Sequence, residues 1–90
     1  MKGDYNMNII QQLVNKKLNN MTPKELLKYS KEYKVSITPE QAEQIVTLIQ
    51  GKNINIYDPD SRLLLLQQIA KVTSSATAQK VNTLFQQLLK

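Results

Sequence analysis

Apolar residues recur along this chain at helical spacing. Over 39–50, Ala42, Ile45, Val46, Leu48 and Ile49 fall on one side of a wheel drawn at ~100° per residue, with Glu40, Glu43, Gln44 and Thr47 opposite. Ala78, Val81, Leu84, Phe85, Leu88 and Leu89 form a second stripe over 75–89. Over 7–20, Met7, Ile10, Leu13, Val14, Leu18 and the following Met21 share one arc, interrupted by Lys17. Residues 23–33 turn Leu26, Leu27, Tyr29 and Tyr33 inward and Lys24, Lys28 and Lys31 outward. Stripes of this kind are expected to be core.

Start and stop signals fall between the stripes. Thr22-Pro23-Lys24-Glu25 places a threonine cap before a proline at the first helical position and a glutamate three residues after the cap. Thr38-Pro39-Glu40-Gln41 repeats that arrangement with glutamine in the reciprocal place. Asp58-Pro59-Asp60 gives a third start, with Asp58 as the cap, and Ser74 is the preferred cap of a fourth. Gly51 suits a left-handed residue closing the helix from Pro39. The pattern predicts an all-α domain, a compact bundle of four to five short helices at about 7–20, 23–33, 39–50, 59–72 and 75–89. Residues 1–6 read as an added or alternative N-terminus, and 7–90 as one helical domain.

Two connections alternate apolar and polar, Val35-Ser36-Ile37 and Ile54-Asn55-Ile56, which is the period of an extended segment with one buried side. Val35, Ile37, Ile54 and Ile56 are expected to plug the ends of the core. Pairing of these segments into a sheet is disfavoured by the helix between them, although a two-residue bridge from 51–57 stays open.

Leu63 to Leu66 is the longest apolar run, far short of the ~20 residues that span a membrane. On a helix, Leu63, Leu65, Leu66, Ile69, Ala70 and Val72 share one broad side. Leu64 falls opposite, among Gln67, Gln68 and Lys71. Three readings stay open: the helix is central and covered on two sides, Leu64 meets another chain, or its exposure is incidental. Leu64, Gln67, Gln68 and Lys71 are therefore the candidate partner surface.

Composition narrows the chemistry. The chain has no cysteine and no histidine, which removes thiolate zinc sites, disulfides, and the commonest general base and transition-metal ligand. Asp58 and Asp60, and Glu40 and Glu43, sit at helix starts, where backbone N–H groups account for them. A glycine-rich phosphate loop, a calcium loop and an activated nucleophile are not visible. The expectation is no enzyme, no cofactor and no metal.

Twelve basic against seven acidic side chains give a net charge of +5. Residues 61–90 hold four bases and no acid. A nucleic-acid surface of Arg62, Lys71, Gln79, Lys80 and Lys90 is the alternative reading, although Arg62 is the only arginine and arginine supplies the bidentate forks that read phosphate and guanine. Residues 23–50 also have the length of a helix-turn-helix unit, but Glu40 and Glu43 would meet phosphates at the start of its second helix.

The ordered segments resemble a known family. They are Glu25-Leu26-Leu27-Lys28-Tyr29, Val35-Ser36-Ile37-Thr38, Glu40-Gln41-Ala42-Glu43-Gln44-Ile45, Gly51-Lys52-Asn53-Ile54-Asn55-Ile56-Tyr57, Gln68-Ile69-Ala70-Lys71, Ala78-Gln79-Lys80-Val81-Asn82 and Leu84-Phe85-Gln86-Gln87. Together they are similar to the YqfT-like family, short uncharacterised proteins of Bacillota, over about residues 7–90. The stretch around Gly51 to Tyr57 is the most specific. The resemblance implies a bacterial cytoplasmic protein and carries no catalytic role. The expected function is a non-enzymatic protein-interaction or regulatory module. Its partner would be another protein or a second copy of itself, with nucleic acid as the alternative and no membrane.

Overall fold

The computed structural model describes residues 9–88. Within them the chain forms α1 (Ile9–Asn19), α2 (Pro23–Glu32), α3 (Pro39–Ile49), α4 (Pro59–Val72) and α5 (Ser75–Leu88), and no strand. The all-α reading holds, and each helix starts or ends within about two residues of its expected place. Residues 1–6, Met7, the Leu88 side chain, Leu89 and Lys90 lie outside the described residues.

The helix starts form as their side chains dictate. Thr22 accepts the Glu25 backbone N–H while Glu25 accepts the Thr22 N–H at 3.0 Å. Thr38 and Gln41 close the same reciprocal box on α3. Asp58 accepts both the backbone N–H and the hydroxyl of Ser61, and Ser74 accepts the Thr77 N–H. Each box fills donors that a helix end leaves bare. Gly51 follows α3 with φ +73°, the left-handed region open to glycine.

Packing runs in chain order. The neighbours α2 and α3, α3 and α4, and α4 and α5 bury Leu26, Ala42, Ile45, Ile49, Leu65, Ile69, Val81, Leu84 and Phe85. Gln41 ties α3 to α5, because its free amide N–H donates to the buried Thr77 hydroxyl at 3.1 Å. Glutamine thus caps one helix and donates to another, which a glutamate at that place cannot do. Val35 and Ile56 are buried, and Ile37 and Ile54 pack half-buried against the core, as plugs at its ends.

Several inward expectations need correction. Tyr33 stands at the end of α2 and is exposed, whereas Ser30 takes a buried place and satisfies its hydroxyl on the Leu27 carbonyl. Leu63 and Val72 of α4 are also exposed. The largest departure is in α1. Leu18 and Met21 are buried, but Ile10 and Leu13 of the expected arc remain 65 and 61 % exposed, beside Ile9 at 72 %. The arc drawn from sequence was wider than the contact the bundle offers. Only the side carrying Val14, Leu18 and Met21 meets the core, and Lys17 marks its edge. The Lys17 ammonium lies 5.8 Å from the centre of the Tyr29 ring, and hydrogen bonding to Tyr29 raises its pKa above the usual lysine value.

Polar side chains fasten α1. Asn19 accepts the Ile54 N–H at 2.9 Å and donates to the Ile54 carbonyl at 3.0 Å. Asn15 accepts the Ile56 N–H at 2.9 Å and donates to the Asn55 side chain at 2.8 Å. Asn19 thus pairs with both peptide groups of Ile54, and Asn15, one turn back, holds the Ile56 N–H. The extended period read over 54–56 does not persist: Ile56 and Tyr57 lie in a turn that the Asp58 N–H closes on the Asn55 carbonyl at 3.1 Å.

Candidate interaction surface

The four residues singled out on α4 come together. Leu64, Gln67, Gln68 and Lys71 recur at helical spacing, and all are exposed. Leu65 and Ile69, on the opposite side of α4, are buried. The helix therefore has a folding face and a separate outward face. The reading in which α4 is covered on two sides is overturned: Leu63 and Leu64 are each 57 % exposed.

The local sequence accounts for this arrangement. Asp58 and Pro59 fix where α4 begins, and the start fixes which leucine faces inward. With Leu65 in the core, Leu63 and Leu64 are rotated about 200° and 100° away. The outward face carries opposite charges at its ends, Asp60 in the first turn and Lys71 in the last. Both signs suit the helix dipole. Leu64 and Gln68 also edge an open groove of about 380 Å³ that runs to Leu48, Lys52 and Ile54.

Arg62 and Lys71 do not share a face. Arg62 and Lys71 are nine residues apart on α4, which points them about 180° apart around the helix. Arg62 is half-buried, and its guanidinium donates to the Ile56 carbonyl at 2.9 Å, bracing the 51–57 segment on which Asn15 and Asn19 also act. Gln79 and Lys80 are exposed on α5. Lys90 lies outside the described residues. Gln41, in the first turn of the helix that would enter the groove, has its side chain spent on the α3 cap and on Thr77.

The sequence reading missed Asn15, Asn19 and Ser30. The signal for the first two was present: two asparagines four residues apart on one helix face, opposite a segment that alternates isoleucine and asparagine.

A second cavity, of about 80 Å³, opens where α1 meets the bundle, walled by Val14, Lys17, Leu18, Met21, Tyr29, Ile56 and Phe85. Its walls are mostly apolar, and Lys17 and Tyr29, which contact each other, are its titratable groups. Among the described residues, no three acidic, histidine or cysteine side chains gather as a metal site, and no helix is long and apolar enough to cross a membrane.

Over residues 7–89 the chain matches the family described as a protein of unknown function (DUF2624). It is 44 % identical over 81 residues to the uncharacterized protein YqfT of Bacillus subtilis (strain 168), covering 90 % of this chain and 96 % of that relative. No solved structure matches the chain.

Proposed function

The chain belongs to the DUF2624 family of proteins of unknown function, and we propose that it acts as a non-enzymatic protein-interaction or regulatory module of the bacterial cytoplasm. Its contact surface is the outward face of α4. The observation that carries this reading is the exposure of adjacent Leu63 and Leu64 on a helix whose opposite side is fully engaged in the core. Exposed leucine side chains gain roughly 1.5–3 kcal/mol each when fully covered, so two together beside a groove favour docking. The engagement of Arg62 with the Ile56 carbonyl, on the side of α4 away from Lys71, supports a protein partner over nucleic acid.

Leu64→Asp tests the reading. The variant is expected to keep the helical circular dichroism and unfolding midpoint of the parent, because Leu64 contributes little to the core. It is expected to lose any protein that the parent captures from a bacterial lysate, and any self-association. A variant that unfolds, or one that retains every contact of the parent, contradicts the assignment.

A further inference from the structure

We propose that the outward face of α4 binds a second copy of this chain, with the two α4 helices antiparallel about a two-fold axis midway between Leu64 and Gln67. This rests on the reading of α4 as an interaction face and names its occupant.

The face is complementary to itself. Asp60, Leu64, Gln67 and Lys71 follow one another at intervals of four, three and four residues. Over those eleven residues the stripe drifts only about 20° around the helix, so it runs nearly straight along α4. Alternating spacings of three and four are those at which two helices pack side by side at a shallow angle. All four residues are exposed, as are their flanking neighbours Leu63 and Gln68.

A two-fold rotation about the midpoint maps this face onto itself. Asp60 then meets the partner's Lys71, and Leu64 meets the partner's Gln67. Each contact occurs twice, as an isologous interface requires. The apolar residues and the long aliphatic parts of glutamine fill the middle, and opposite charges close both ends. A parallel pair would instead set Asp60 against the partner's Asp60 and Lys71 against the partner's Lys71, and would align the two helix dipoles. Charge therefore selects the antiparallel register, although exposed ion pairs add little affinity. A single helix pair is smaller than a standard interface of roughly 1,600 Å², so the association is weak and belongs at high protein concentration.

Sedimentation velocity across a concentration series tests the pairing. The parent chain is expected to move from one chain mass toward two. Asp60→Lys and Lys71→Asp should each weaken the association, on the order of tenfold, and the double variant should recover it. Circular dichroism of each variant separates lost contact from lost helix. A second measurement is independent of those stabilities. The natural chain has no cysteine, so Asp60→Cys and Lys71→Cys chains can be oxidised alone or mixed. The mixture should cross-link and neither chain alone should, because in the antiparallel pair the two copies of residue 60 stand about 16 Å apart along the axis, beyond disulfide reach.

A parent chain that stays monomeric at every concentration overturns the second copy as occupant, and leaves the interaction reading to the Leu64→Asp capture experiment. A dimer that Leu64→Asp dissolves, but that ignores both charge reversals or links Asp60→Cys to itself, overturns the antiparallel register while the interaction reading stands.

Discussion

Helices α1 and α5 carry similar amphipathic stripes, yet they are held in opposite ways. The α5 stripe of Ala78, Val81, Leu84 and Phe85 is buried, mostly against α4. The α1 stripe is buried only at Leu18 and, just beyond the helix, Met21. Its Ile10 and Leu13 face solvent. What fixes α1 is the grip of Asn15 and Asn19 on the backbone of Ile54–Ile56. Hydrophobic spacing alone therefore shows that a helix has a greasy side. It does not show that the fold has room to cover all of it. Where cover is partial, directional hydrogen bonds decide the position.

The largest expected effect sharpens this contrast. Phe85→Ala should lower unfolding free energy by about 3–5 kcal/mol, because it empties a fully buried site beside an existing cavity. Leu13→Ala on α1 should change it by less than about 0.5 kcal/mol. Urea denaturation of the two variants compares them directly. Equal losses would mean that α1 is packed as tightly as α5.

Asn19→Ala comes next. It removes a donor and an acceptor from the Ile54 peptide groups, each part-buried, and should cost about 1–3 kcal/mol. Hydrogen exchange should quicken first in α1 and in residues 51–57, while α2 to α5 keep their protection. Uniform quickening across all five helices would break the distinction between a packed bundle and a hydrogen-bonded appendage.

Much of this fold was legible because its boundaries are written in short, local chemistry. Pro23, Pro39 and Pro59 each follow a capping side chain, and each opens a helix. The buried sides of α3 and α5 also followed from spacing. The α1 surface did not, since a wheel records direction on one helix and is silent about the width of its neighbour. Asn15 and Asn19 share a helix face, which was a signal, but their targets lie 35 to 41 residues away in sequence, so nothing local named what they hold. On α4, the run of leucines showed that one of them must face away from the others. Burial of Leu65 and Ile69, with Leu63 and Leu64 left outside, removed one of the three readings, the one in which α4 is covered on two sides.

The smallest effect separates two caps that look alike. Glu25 closes the α2 box, and the Thr22 backbone N–H, chief among its partners, holds its carboxyl below the usual range. Asp58 is lowered in the same direction by the hydroxyl, then the backbone N–H, of Ser61. A depressed folded pKa gives stability that is present above the unfolded value of about 4 and is lost as pH falls through the folded value. The α3 box is closed by Gln41, which does not titrate. Below about pH 4, amide exchange at the starts of α2 and α4 should therefore rise before that at the start of α3. Simultaneous loss at all three would contradict the assignment of these carboxylates.

The central claim is that α4 divides its surface between folding and contact, and one paired measurement on Leu64→Asp addresses both halves. Urea unfolding should stay within about 0.5 kcal/mol of the parent, while sedimentation at the highest concentration should show the variant as a single chain where the parent associates. Unfolding of the variant, or association undiminished by a carboxylate at that position, would contradict the division.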